Sequence, residues 1–275
     1  MSGIDGEIFV VDNASNDGSA EMLKNKFSSV HLIENEKNLG FAKANNLALK
    51  NTSGKFILLI NPDTIVQEDT LSVMLNYFKE NPNVGLGGCK VLNPDGTLQL
   101  ACRRSFPSPW VAFTKIVGLS NIFPQTKIFG KYNLSYLSAD EIQEVDAVSG
   151  SFMMLRREVY ENIGGLDEDF FMYGEDLDWC YRIQKAGWKI NYIPITQIIH
   201  YKGESTKRSS IDDIKYFYQS MQLFVKKHFR SALIFLPLLQ LGIVLRSWIA
   251  SIAKNKSILY TALFDSALVI ISVIC

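Results

Sequence analysis

Short apolar runs and longer segments of helical spacing alternate along the first third of the chain. Ile8–Val11 is an apolar, β-branched run, the pattern of a buried strand. Asn13–Ser19 is rich in Asn, Asp, Ser and Gly and reads as a loop, with Ser19 as the expected helix cap. A helix is expected over Ala20–Phe27, a strand over Val30–Glu34 and a helix over Phe41–Lys50, where Ala42, Ala44 and Ala48 keep one face small. Lys55–Ile60 is the strongest strand pattern. It stops at Asn61-Pro62-Asp63, where Pro62 has no backbone donor for a ladder. Glu68–Asn81 has the spacing of an amphipathic helix. Repeated βα units of this kind predict an α/β fold, a mostly parallel sheet with helices on both faces. Ligands of such sheets bind beyond the carboxyl ends of the strands, which sets Asp12 and Asp63 on one rim.

The far end has a different pattern. Ala232–Leu245 is apolar except for Gln240 and is broken by Arg246; Ile258–Cys275 is apolar apart from Asp265 and small polar residues. A membrane span needs about 20 mostly apolar residues, so both runs fall at the margin. Lys226, Lys227, His228 and Arg230 precede the first run, and Lys254 and Lys256 separate the two, a distribution suited to an anionic cytoplasmic leaflet. The expectation is a domain over 1–228 followed by apolar, membrane-associated helices over 229–275; a pair of buried core helices is the alternative.

Composition narrows the function classes. The 275 residues include 28 Lys+Arg and 28 Asp+Glu, a formal net charge of zero that argues against a nucleic-acid partner. Hydrophobic residues make up 47%, enough for a buried core. The four Cys (89, 102, 180 and 275) form no CxxC pair, so neither a zinc knuckle nor a disulfide framework is expected, and a reducing compartment fits. No basic, then apolar, leader is visible in Met1–Gly6.

Four polar clusters hold the candidate chemistry. Asp12, just past a strand, can accept from a nucleobase or ribose, or can simply build an Asx turn with Asp17. Asp63 is placed to hold a divalent cation on a diphosphate; otherwise the segment is a turn into a helix. Glu175, Asp176 and Asp178 crowd beside Phe170, Phe171, Tyr173 and Trp179. They suit the first turn of a helix, where the dipole favours acids. A carboxylate among rings and other acids can also hold a raised pKa and act as a general base. Asp176 and Asp178 are two apart and cannot share a helix face. His200 can contact a metal or a phosphate, although a lone His is more often structural.

Six segments in order resemble family 2 glycosyltransferases of the GT-A fold, and within them the bacterial rhamnosyltransferase-like branch. They are Val11-Asp-Asn-Ala-Ser-Asn-Asp-Gly-Ser19, Asn38-Leu-Gly-Phe-Ala-Lys-Ala-Asn45, Leu59-Ile-Asn-Pro-Asp63, Gly164-Gly-Leu-Asp-Glu-Asp-Phe-Phe-Met-Tyr-Gly-Glu-Asp176, Lys185-Ala-Gly-Trp188 and His200-Tyr-Lys-Gly-Glu-Ser205. The resemblance implies a Rossmann-like GT-A domain and an inverting transfer from a nucleotide-diphosphate sugar, UDP- or dTDP-linked, with rhamnose as one candidate sugar. The acceptor would be a hydroxyl of a glycan or lipid-linked molecule in cell-surface polysaccharide synthesis, at the cytoplasmic face of the bacterial inner membrane. On that resemblance Asp12 recognises the base, and Asn38, Gly40 and Asn45 line the nucleotide side. Asn61 and Asp63 match the metal-binding Asp-x-Asp element, so that Asp63, with His200 nearby, holds Mg²⁺ or Mn²⁺. Asp176, with Glu175 beside it, matches the catalytic base.

The family's usual opening strand and helix have no counterpart ahead of Glu7, so the expectation is a truncated start, and the end at Cys275 is expected to be incomplete too. That departure keeps a non-catalytic nucleotide-sugar-binding protein as the alternative function. A processive synthase would show Gln-x-x-Arg-Trp and a P-loop NTPase Gly-x-x-x-x-Gly-Lys-Ser/Thr; the chain has neither. The stretch 103–145 matches no interpretable motif.

Overall fold

The computed structural model describes residues 4–201, 210–229 and Leu241. The apolar runs expected to associate with a membrane therefore lie almost wholly outside the described residues, as do Lys202–Ser205. Among the described residues no helix is long and apolar enough to cross a membrane.

The elements follow in order: β1 Phe9–Asp12, α1 Ser19–Lys26, β2 His31–Glu34, α2 Phe41–Leu49, β3 Phe56–Ile60, β4 Thr64–Val66, α3 Thr70–Glu80 and β5 Val84–Leu92. A 3₁₀ turn at Leu100–Cys102 leads to β6 Arg103–Arg104, α4 Pro109–Val117, α5 Leu119–Ile122, β7 Gln143–Glu144 and β8 Ala147–Val148. The chain continues with β9 Phe152–Arg156, α6 Arg157–Ile163, α7 Glu175–Lys185, β10 Lys189–His200 and α8 Ser210–His228. The α/β class stands, and the early strands and helices fall within a residue or two of their expected places. Ser19 is not the cap of α1 but its first residue. Gly18 holds the cap position in the left-handed region at φ 84°, and Asp17 Oδ1 accepts from both the amide and the hydroxyl of Ser19.

The sheet is mixed rather than mostly parallel. Its hydrogen-bonded order is β3-β9-β5-β10-β4, with β7 also on β10, while β1 and β2 form a separate parallel pair. β5 and β10 run parallel, but β9 is antiparallel to both of its neighbours, and β4 and β7 are antiparallel to β10. The cause lies in where the chain waits between strands. β5 ends at Leu92; the excursion 93–151 reaches back through β7 along the start of β10 but returns to the Leu92 end, where β9 starts with Phe152 opposite Ile60, the last residue of β3. A strand that begins where its neighbour ends needs no crossover and runs backwards.

Glycines let both layers close onto β5. A Cβ on Gly87 would come within 2.7 Å of Ile193 and 3.2 Å of Phe78, whereas one on Gly88, pointing to the opposite face, would meet Val148 at 2.7 Å. Phe78 of α3 thus packs one face of the sheet, and Val148 packs the other. Trp179, Cys180 and Ile183 of α7 complete the core, all fully buried. Cys89, Cys102 and Cys180 are buried free thiols. Arg156 closes the base of the core by donating to the carbonyls of Val84, Phe78 and Asn81. Replacing Phe78 by Ala removes a wholly buried ring from over Gly87. It should cost about 3–5 kcal/mol in denaturant unfolding, against less than 1 kcal/mol for an exposed control such as Met22→Ala.

Candidate functional site

The site forms where the loops after β1, β3 and β8 meet the start of α7. Gly150-Ser151, just ahead of β9, is its hub. The Gly150 amide donates to Asp176 Oδ2 at 3.0 Å, and the Ser151 carbonyl accepts from the Asn61 amide at 3.1 Å. One dipeptide therefore joins the Asp176 side to the Asn61–Asp63 side. The Asp12 side reaches the same place through α2. Asn13 donates to the Asn38 side chain and the Gly40 carbonyl, the Phe41 amide donates to Phe171 O, and the Phe41 ring lies 3.8 Å from a Cβ built on Gly150.

Asp12 is buried at the end of β1 and its carboxylate accepts from the Ser15 amide, three residues on, at 3.2 Å, whereas the Asx-turn spacing in this loop is made by Asp17, which accepts from the Ser19 amide two residues on. Asn38 shapes the loop: its Oδ1 accepts from Asn13 Nδ2 and from the Gly40 amide. Gly40 sits at φ 82°, where a Cβ would lie 2.5 Å from the Phe171 carbonyl, so no other residue fits without moving that loop. Asn45 Nδ2 turns back along its own helix and donates to Phe41 O at 2.9 Å.

Asp63 and His200 come together from separate segments. His200 Nε2 stands 3.1 Å from Asp63 Oδ1 and 3.2 Å from Asn61 Nδ2, while its Nδ1 meets Gln99 Oε1 at 2.9 Å. Gln99 Nε2 donates to the His200 carbonyl, which fixes the amide's orientation and puts the ring proton on Nδ1. The Nε2 lone pair then faces a carboxylate oxygen. Two acceptors at that distance need a proton or a cation between them. Oxygen and imidazole donors suit Mg²⁺ or Mn²⁺. Among the described residues no cluster of three or more His, Cys, Asp or Glu could hold a metal, so a cation here would draw its remaining ligands from water or a bound diphosphate.

At the start of α7 the three acids separate, as their spacing requires. Asp178 turns away from the hub and is held by His228 Nε2 at 2.6 Å and Arg182 Nε at 2.7 Å. Burial pushes its carboxyl up, but the His228 hydrogen bond and the Arg182 charge outweigh this and hold it below the ordinary carboxylate range. Asp176 faces the hub. Its Oδ1 accepts from the Leu177 amide at 2.8 Å, and its Oδ2 accepts from Gly150 and, at 2.5 Å, from Arg104 Nη2. Arg104 also donates to Val148 O and is buried with Asp176. Glu175 is the carboxyl with the raised pKa. Burial and the adjacent Asp176 charge push it up to about 8. Glu175 Oε2 and Arg104 Nε have no hydrogen-bond partner among the described residues, and both residues line a small cavity with Asp176, Tyr132, Phe217 and Met221. Unpaired polar atoms facing a cavity mark a place for water or a polar ligand.

Sequence reasoning missed Arg104, Gln99 and Gly150. All three lie in or beside the stretch without motifs, and each meets its partner across a long sequence separation. The one available signal was the Arg103-Arg104 pair in an otherwise aromatic segment.

Comparison with known proteins adds family and fold. Residues 4–218 match the family described as "Glycosyltransferase like family 2". The chain is 27% identical over 229 residues to an N-acetylglucosaminyl-diphospho-decaprenol L-rhamnosyltransferase of Mycobacterium tuberculosis, covering 79% of this chain and 74% of that protein. It is 28% identical over 198 residues to the rhamnosyltransferase WbbL of Escherichia coli, covering 70% and 69%. Among solved structures, a Pyrobaculum calidifontis mannosyltransferase in complex with GDP-Man and Mn²⁺ aligns with a TM-score of 0.54 at 18% identity, over 96% of this chain and 70% of that one. That likeness supports the GT-A fold.

The raised Glu175 carboxyl has a consequence for stability. The folded protein holds a proton there that the unfolded chain releases near pH 4.5, so this contribution to stability is full below pH 4.5 and is lost as pH rises towards about 8. Glu175→Gln, which resembles the protonated form, should flatten the pH dependence of Tm between about 4.5 and 8. Calorimetry across that window would show it.

Proposed function

We propose, from the premise that the chain belongs to glycosyltransferase-like family 2, that it transfers a sugar from a nucleotide-diphosphate donor to an acceptor hydroxyl by direct displacement with inversion. That the chain is a glycosyltransferase of the rhamnosyltransferase-like branch follows from the family match and its relatives. The observation that carries the mechanistic reading is the hub. Gly150-Ser151 ties the carboxylate that would act on the acceptor to the segment that would grip the donor's diphosphate.

Each residue then has a task. Asp12 accepts from the imide N–H of a uracil or thymine base. Asn13, Asn38 and Gly40 hold the loop against which the nucleotide lies. Asp63 and His200 hold a divalent cation, which when bound supplies positive charge to the leaving diphosphate. Asp176 takes the acceptor proton as the acceptor oxygen attacks the anomeric carbon opposite the leaving group. Arg104 neutralises Asp176 in its buried position and fixes which oxygen faces the cleft. Glu175 stays protonated beside it, so two adjacent carboxylates do not repel each other. Asn45, on the first turns of α2, keeps its carbonyl oxygen for the nucleotide side while one N–H donates to Phe41 O.

The relatives suggest the substrates. One acts on a diphospho-decaprenol-linked sugar and two are rhamnosyltransferases by name. A deoxysugar nucleotide and a lipid-linked acceptor, used at the cytoplasmic face of a bacterial inner membrane in polysaccharide synthesis, are the substrates we assign.

Asp176→Asn should lower transfer, followed by mass spectrometry of products from a nucleotide-sugar panel, by at least about 10²-fold, while donor binding by calorimetry stays nearly unchanged. Asp63→Ala should instead weaken divalent-dependent donor binding. Unaltered turnover in the Asn variant would remove Asp176 from the mechanism.

A further inference from the structure

The excursion between β6 and β7 presents an apolar face that the catalytic scheme does not use. α4 is apolar nearly all round. Val111, Ala112 and Ile116 pack beneath it on Tyr132, Met221 and Val225, whereas Trp110 on its outer side is 48% exposed. From Trp110 the rings run on as a connected row, to Phe129 at 6.4 Å and from Phe129 to Phe123 at 5.6 Å between centroids, while Phe113, 5.9 Å from Trp110, joins the row to the inner cluster. Ile122 and Ile128 flank the row and are 66% and 59% exposed. A helix of this kind on a water-facing surface needs a cover.

Charge identifies the cover. Between Arg104 and Asp140 the chain has three lysines, Lys115, Lys127 and Lys131, and no Asp or Glu. Lys127 and Lys131 are exposed beside the row, and Lys115 lies over the Tyr132 ring at 5.3 Å. Exposed aromatics with two exposed lysines beside them, in a stretch of chain without acids, match the headgroup region of an anionic bilayer, where rings sit at the interface and lysines meet lipid phosphates. We propose that this face, Trp110 to Lys131, docks onto an anionic lipid surface. The placement also serves access. Tyr132 and Met221 pack under the docking face and line the cavity beside Asp176, so the acceptor side of the site lies next to the bilayer.

The test uses the full chain with extruded vesicles of phosphatidylcholine, with and without phosphatidylglycerol. Because the apolar C-terminal runs can bind lipid on their own, a local readout is needed. Brominated-lipid quenching of tryptophan fluorescence, taken as wild type minus Trp110→Phe, reports Trp110 alone. The expected result is a Trp110 quench that needs the anionic lipid and falls with salt. Partition should fall roughly 25-fold or more for Lys127→Glu/Lys131→Glu, at about fivefold per lysine. Trp110→Ser/Phe123→Ser should also lower partition with circular dichroism unchanged. A Trp110 signal that is absent, or equal on neutral vesicles, would overturn the proposal. So would a concentration-dependent dimer in sedimentation that these same exposed changes abolish, because the face would then belong to a second copy.

Discussion

A carboxylate cannot be taken out of water without a partner, and Asp176 is buried. The Arg104 guanidinium and the Gly150 amide on Oδ2, with the Leu177 amide on Oδ1, make its position possible, and much of the surrounding structure serves to bring the first two there. Arg104 arrives on a two-residue strand that pairs with β8 in a ribbon separate from the main sheet, Arg103 opposite Val148 and Arg104 opposite Ala147. Gly150 lies two residues past the end of β8. The short β6–β8 ribbon, a minor element by area, is thus the frame of the site. Losing one member of such a buried pair strands the other charge, at a cost of roughly 3–5 kcal/mol.

Two kinds of contact organise the rest. Backbone groups at the strand ends set positions: Ser151 O holds Asn61, and Phe171 O holds Phe41. Side chains then set charge, with Gln99 fixing the His200 tautomer so that Nε2 faces Asp63, and His228 and Arg182 drawing Asp178 away from Asp176. The three acids at the start of α7 consequently have three environments. Asp178 is paired and lowered, Asp176 is paired across the hub, and Glu175 is buried and raised to about 8.

Much of this was legible in the sequence where the cause is local. The β-branched runs at Ile8–Val11 and Lys55–Ile60, the small residues of α2 and the divergence of Asp176 from Asp178 follow from periodicity within a few residues. The direction of β9 was not legible, because it depends on where the excursion 93–151 leaves the chain. Arg104 was not legible either: its partner lies 72 residues away, and nothing in the intervening pattern links them. Asn45 has a local partner that its motif position did not signal, the Phe41 carbonyl one turn back along α2. The raised carboxyl expected near Asp176 fell on Glu175, whose side chain finds no cation of its own.

The central claim is that Asp12, Asp63 and Asp176 border one cleft, with the hub dipeptide between the donor and acceptor halves. A crystal structure with a pyrimidine nucleoside diphosphate and Mn²⁺ tests it most directly. The account predicts the base at Asp12, the cation on Asp63 and His200, and an open path from the diphosphate to the Asp176 carboxylate. A nucleotide bound elsewhere, or one separated from Asp176 by the body of the sheet, would contradict it.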